Sequence, residues 1–366
     1  MGTRTASVVI LLAAAALGSP ASAAENAFLG LLRARDLTTF GFLRLDMRPA
    51  HAIHAPPGTW AIETELAHQN TWALSQGARD YLDTLSGRRR LGPAEVADIL
   101  ALPGENYLFD MELATLDVTL HYKFSERWGA YLVLSGVNYS GGFLDRSIES
   151  AHDVLGFDNN GRPAVERNAV NLIADLKNAN FAALAAPTTG GLLDPTLGLR
   201  YSSPEQVMGW NYVLEAAVKI AAQGREEFQS TGETDYGVQA TLQRFGEHHA
   251  WYASISAVFY DGRESLTPTD PQVVPTLVLG YERKLSERTH LVLQGYVSDS
   301  VYSNEDTDLD ELLDIKYQLS AGIYRRIGGG VLSFAITENL QNFNNTPDVG
   351  LQLGWAYSPA LRQDPR

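Results

Sequence analysis

Along this chain, segments of roughly ten residues alternate apolar and polar side chains about a dozen times, as antiparallel strands with one apolar face do. The last of them, DVGLQLGWAY from Asp348 to Tyr357, shows the pattern. Val349, Leu351, Leu353, Trp355 and Tyr357 share one parity, and Gly350, Gln352 and Gly354 the other. Leu116, Val118, Leu120, Tyr122 and Phe124 likewise oppose Asp117, Thr119, His121 and Lys123, and Trp210, Tyr212, Leu214, Ala216 and Val218 oppose Asn211, Glu215 and Lys219. Successive strand side chains point to opposite faces, so each segment has one apolar face and one polar or small face. A soluble sandwich turns the apolar face inward and an outer-membrane barrel turns it to lipid; the local pattern serves both.

Compartment and connections separate the two. Met1 to Ala23 carries Arg4, an apolar run from Val8 to Leu17 and the small residues Ala21-Ser22-Ala23, and is expected to be a secretory signal (1–23) cleaved before Ala24. That run is too short for a membrane helix, and no later segment reaches about 18 consecutive apolar residues. One set of connections is short: Ser125 to Arg127, Gly246 to His248, Ser286 to Arg288 and Ile327 to Gly330, with Ser202 to Gly209 somewhat longer. The alternate set is long and polar: Asn70 to Asn106, Tyr139 to Asp194, Gln223 to Asp235, Asp261 to Gln272, Ser298 to Glu311 and Glu338 to Pro347. Outer-membrane barrels sort their connections in this way, with short turns periplasmic and long loops extracellular. Tyr122, Phe124, Trp128, Trp210, Trp251, Tyr281, Tyr324, Trp355 and Tyr357 gather beside the short turns and read as a periplasmic aromatic girdle. The expected fold is all-β: a transmembrane antiparallel up-and-down β-barrel of about twelve strands over 58–358, capped by loop 139–194 and followed by a tail, 359–366.

On that fold the polar parity faces the lumen. Glu63, Glu65, Asp117, His121, Lys123, Arg200, Glu215, Lys219, Glu282, Lys284, Asp314 and Lys316 are the expected lumen-facing charges. Unpaired charge is too costly in a dry interior, so they imply either a hydrated path or a self-neutralising network. The N-terminal segment 24–57, with Phe28 to Leu32 and Phe40 to Leu43, is expected to be a plug entering from the periplasm or an extra strand on the rim. Within the capping loop, Val170, Ile173, Lys177, Phe181 and Leu184 fall near helical spacing, which predicts a short amphipathic helix over Ala169 to Ala186. Met111 and Leu113 share the parity of Asp117, so a bulge or a strand leaving the membrane is expected there.

Composition excludes some chemistry. A formal net charge of −15 argues against nucleic acid as a partner, because phosphate binding needs a basic field. There are no cysteines, hence neither disulfides nor a thiolate metal site. Outer-membrane lipid and lipopolysaccharide are the expected surroundings, and the sequence carries no sign of an oligomeric state. Asp306, Asp308 and Asp310, with Glu311 and Asp314, form an oxygen-rich run suited to calcium. The run lacks the central glycine and spacing of a calcium loop, and a solvated acidic loop is the plainer reading. His51 and His54, with His68 near in sequence, read as incidental rather than as a metal site. No serine and histidine share an outward strand end with an orienting amide, so an enzyme is not favoured.

DLTTFGFLRLDMRPAHAI (Asp36 to Ile53), PPGTWAIETELAHQNTW (Pro56 to Trp72) and GGLLDPTLGLRYSSP (Gly190 to Pro204) resemble a proteobacterial family of exported proteins, domain of unknown function 3187 (DUF3187). The resemblance spans most of the mature chain and implies an outer-membrane barrel; it brings no catalytic motif and no residue roles. Asp194 to Tyr201 also resembles strand openings in barrels of the fatty-acid and aromatic-hydrocarbon uptake type. The expected function is a channel or uptake protein for a small solute, apolar ones included. The alternatives are a closed barrel with a structural or surface-interaction role and, behind it, a lipid-modifying enzyme.

Overall fold

A computed structural model describes residues 28–35, 41–50, 56–188, 190–203, 206–223, 225–226, 228–260, 272–340 and 345–359. The expected signal segment, His51, His54 and residues 360–366 lie outside them. Among the described residues, twelve antiparallel strands form the barrel wall: β1 (Thr59–Leu74), β2 (Asn106–Lys123), β3 (Trp128–Ser140), β4 (Thr196–Ser202), β5 (Asn211–Lys219), β6 (Asp235–Phe245), β7 (His249–Tyr260), β8 (Gln272–Ser286), β9 (Thr289–Ser298), β10 (Lys316–Ile327), β11 (Gly330–Asn339) and β12 (Val349–Tyr357). Each pairs with its neighbours in the chain, and β12 returns to β1 in unbroken register from Ile62 opposite Tyr357 to Asn70 opposite Val349. That pairing closes the sheet.

The two parities divide as the alternation dictates. Leu66, Leu116, Leu134, Leu214, Ile255, Leu279, Leu319 and Leu353 all stand exposed on the outer wall. So broad an apolar belt is foreign to the surface of a soluble monomer, and its natural contact is lipid. Aromatic pairs lie across neighbouring strands at the short-turn end: Trp60 with Tyr122 and Trp251 with Tyr281, each at 4.7 Å between ring centroids. Tyr324 does not belong to this girdle. It shares the lumen-side parity of Gln318 and Ser320, is 3% exposed, and its hydroxyl donates to the carbonyl of Leu31 inside the barrel at 2.7 Å.

The β1–β2 ladder continues without a break from Thr59 opposite Lys123 to Leu74 opposite Leu108, so the parity change near Met111 is not a bulge. What changes is the surroundings. At this height Tyr107, Phe109, Met111 and Leu113 turn into an apolar core that fills the mouth of the barrel. On the opposite face Glu112 accepts backbone N–H groups of Phe143 (2.9 Å) and Leu144 (2.7 Å), because the capping loop folds over the outside of the hairpin where it rises past the lipid.

The cap contains α1 (Gln76–Thr84), α2 (Pro93–Leu100) and α3 (Asp145–Leu155). The side chain of Ser75 caps α1 by accepting the N–H of Ala78, satisfying one of the free donors of the first turn. Ala78, Leu82 and Ile99 from these helices pack with Trp72, Leu74 and Leu108 of the hairpin. Residues 169–186 do not form the predicted helix; they make a hairpin of Asn171–Leu176 with Ala179–Ala183, and Asn171 to Asp175 pair with the top of β2. β3 pairs with β2 only up to Glu112, leaving the ladder donors and acceptors of Asn106 to Asp110 as a template. Arg162, 2% exposed, fastens the cap to the wall: its guanidinium lies over Trp72 and pairs with Asp145 (2.6 Å) and Asp348 (2.7 Å).

Leu353 sits midway along β12 on the lipid face. Leu353→Arg should lower stability in liposomes by about 2–4 kcal/mol. Urea unfolding checks this, with Gln352→Asn on the lumen face as the control expected to change far less.

Candidate functional site

The lumen is occupied by the chain itself. Residues 28–35 and 41–50 run inside the wall, beginning at the periplasmic end, where Phe28 stacks on Phe245 at 5.7 Å. There Glu282 accepts the backbone N–H groups of Leu29 and Gly30, both at 2.9 Å, and the hydroxyl of Tyr252 at 2.6 Å, and it also contacts His290 Nδ1. Gly30 is in the left-handed region (φ 95°), which costs glycine little and helps aim two successive N–H groups at one carboxylate. Wall residues Gly280 and Gly322 leave slots for Leu31 and Leu32, since a Cβ at either would run into those side chains.

Farther on, the segment reaches the loop-side ends of the strands. Leu45 N–H donates to Asp235 at 2.9 Å, Lys219 Nζ donates to the Leu43 carbonyl at 3.1 Å, and the Phe42 ring meets Tyr139 at 6.0 Å. It then descends, and Gln239 donates to the Arg48 carbonyl at 3.1 Å while Arg33 donates to the Pro49 carbonyl at 2.8 Å, tying the two arms together. Among the described residues, 28–35 thus rise from the periplasmic end and 41–50 run back toward it.

Its four arginines meet the acids of the wall. Arg33 Nε lies 3.5 Å from Glu63, Arg35 pairs with Asp117 at 2.9 Å, Arg44 with Asp235 at 3.2 Å, and Arg48 with Asp117 at 3.0 Å and Glu65 at 3.8 Å. The wall also pairs within itself: Arg200 with Glu215 at 2.8 Å, Lys219 with Asp235 at 3.1 Å, and His121 Nε2 at 3.4 Å from Glu63. Apolar packing seals both ends of this ionic layer. Above it Phe42, Leu43, Leu45 and Met47 join the core of the mouth, and below it Phe28, Leu29, Leu31 and Leu32 join two smaller clusters.

Of the lumen-facing candidates, the structure places Glu63, Glu65, Asp117, His121, Arg200, Glu215, Lys219, Glu282 and Lys316 inside the wall. Lys123 is half-buried at the periplasmic end of β2, and Lys284 pairs with Glu287 at 2.8 Å beside a short turn. Asp314 is exposed and not in the lumen. It caps the short helix Asp310–Leu313, and β10 begins only at Lys316, so the alternation does not extend to it. Nor do the three aspartates suited to calcium converge: Asp306 accepts from Ser303, Asp308 pairs with Lys177, and Asp310 opens the helix. Among the described residues no cluster of three or more acids and histidines could hold a metal ion. His68 lies on the outer face of β1, where its Nε2 is 2.6 Å from Glu112.

Sequence reasoning missed Arg33, Arg35, Arg44 and Arg48 as partners of the wall. Two signals pointed to them: the alternation Leu43-Arg44-Leu45-Asp46-Met47-Arg48, and the acids of the wall, which need buried cations.

Fold and interior together define a transmembrane barrel of the outer-membrane type whose lumen is filled by its own N-terminal segment. The chain belongs to the DUF3187 family, proteins of unknown function, whose model matches residues 7–358. It is similar to the COG4313 outer membrane channel of Pseudomonas putida F1, at 10% identity over 83% of this chain and 96% of that one, with a TM-score of 0.50. Fainter likenesses are to the toluene transporter TodX of P. putida (10% identity, 82% and 90% covered, TM-score 0.39) and the translocator domain of the autotransporter NalP from Neisseria meningitidis (10%, 82% and 89%, 0.37). The first likeness shows a shared barrel fold, and the other two are too faint to add to it. No curated protein matches the sequence.

Glu282→Gln removes the charge from the carboxylate that holds Leu29 and Gly30, and should cost about 3 kcal/mol. Limited proteolysis should then cut the inner segment faster than in the wild type. In the cap, burial opposes ionisation of Glu149, but hydrogen bonds from Arg167 and Arg88 outweigh it and hold the carboxyl below its usual range. A depressed folded value contributes stability in full above the unfolded value, about 4.3, and that contribution disappears as pH falls through the folded one. Amide exchange in α3, corrected for intrinsic rates, should therefore accelerate on acidification below about pH 4.

Proposed function

We propose that this protein is an outer-membrane channel or uptake protein for a small solute, closed at rest by its inner segment. The observation that carries the reading is the ionic layer at mid-lumen. A permanently sealed barrel gains as much or more from an apolar filling, since a buried ion pair roughly offsets its own desolvation. A wall lined with Glu63, Glu65, Asp117, Glu215 and Asp235 is instead one that water can rehydrate once the arginines withdraw. The fold shared with an outer-membrane channel supports the same reading. In that setting the apolar belt meets outer-membrane lipid, and the long loops stand among lipopolysaccharide.

A second reading, a closed barrel acting through its surface, is favoured by the apolar core across the mouth. Single-channel recording in planar bilayers separates them. The full chain should conduct rarely, in brief events, and a variant lacking residues 28–50 should conduct steadily. A folded deletion variant that stays silent sinks the channel reading and leaves the closed barrel standing.

A further inference from the structure

A void of about 40 Å³ lies in the ionic layer, between the inner segment and the inner faces of β3 to β5. Since one water needs on the order of 10–15 Å³ of such space, it takes about three waters or the few heavy atoms of a small ion. Five of its lining side chains are cations: Arg33, Arg35, Arg44, Arg48 and Lys219. Two are acids, Asp46 and Asp194. The carboxylates that pair with the arginines (Glu63, Glu65, Asp117 and Asp235) are not part of the lining, so the void meets more positive than negative groups. Asp194 accepts from the Ser230 hydroxyl and from the N–H of Ala222 at 3.0 Å, and one of its oxygens lies 3.9 Å from Lys219 Nζ, which balances that lysine and leaves the four arginines facing Asp46 within the lining.

Arg35 gives the second observation. Its two terminal nitrogens donate to Asp117 and to the Phe42 carbonyl, both at 2.9 Å, whereas among the described residues Nε has no hydrogen-bond partner, and the side chain is 8% exposed. A buried donor without an acceptor is costly, and a guanidinium edge matches two oxygens of one anion. A preformed group of fixed cations beside a small polar void is the arrangement by which anion pores select their ions.

We infer that this void is a binding site for a small oxyanion, a carboxylate or phosphate group, with Arg35 as the residue that recognises it. As a statement about the solute the inference rests on the channel reading and makes that solute anionic; as a binding site it stands without it.

Calorimetric titration of the full chain in detergent, at constant ionic strength against a chloride control, uses acetate and inorganic phosphate as separate probes. Saturable heat with either probe is expected, acetate alone marking a carboxylate site and phosphate alone a phosphate site. Arg35→Gln should weaken the binding at least tenfold, and Arg35→Lys, which keeps the charge, by less. Heat-modifiable gel mobility reports whether each barrel is folded, and the wild-type titration decides the matter even if a variant is not. No saturable heat beyond chloride, or equal affinity in a folded Arg35→Gln protein, overturns the inference. Binding without conductance in any form removes the channel and keeps the site; conductance without binding does the reverse.

Discussion

Everything in this structure depends on the pairing of β1 with β12. Within lipid no water can serve a free peptide group, so a sheet that spans the bilayer has to leave no edge. The ladder from Ile62–Tyr357 to Asn70–Val349 removes the last edge and, in doing so, encloses a space. A twelve-strand wall leaves room within it for more than its own side chains. The inner segment fills that room, and its chemistry is dictated by the wall around it.

The interior is built in layers. Apolar side chains close the periplasmic end around Phe28, Leu31 and Leu32, and a larger apolar core closes the extracellular mouth. Between them, arginines of the inner segment face carboxylates of the wall. The layers differ in how firmly they hold. Apolar contacts are lost in proportion to the area returned to water, whereas a buried ion pair exchanges attraction for hydration with little net change. The inner segment is therefore held chiefly by its apolar contacts at Phe28 to Leu32 and at Phe42 to Met47, and by the grip of Glu282 on Leu29 and Gly30.

The wall was legible because a strand repeats every two residues and its two faces meet different solvents. Turn lengths identified the periplasmic end, and the polar parity located nine interior charges. What escaped were the places where that contrast fails. Asn171 to Ala174 are buried on both faces, so neither strand nor helix periodicity shows, and the spacing of Val170 and Ile173 suggested a helix that is not there. Tyr324 was misplaced because an aromatic near a short turn suits a girdle, while its parity already set it inside. Asp314 was misplaced because alternation was carried past the start of β10. The arginines of the inner segment were unreadable as a site because their partners lie across the lumen, in strands far away in sequence. Arg44 and Asp235, for example, are 191 residues apart.

The two described arms of the inner segment both lead toward the periplasmic opening, and this bears on how the molecule is assembled. A chain passing once through a ring must be threaded or have the ring close around it. A loop pushed in from one side needs neither, and it can be drawn out again without breaking a single bond of the wall. The barrel and its occupant are thus topologically independent, although they share one polypeptide. Nothing in the ladder of the wall requires the occupant to be in place before the cylinder closes.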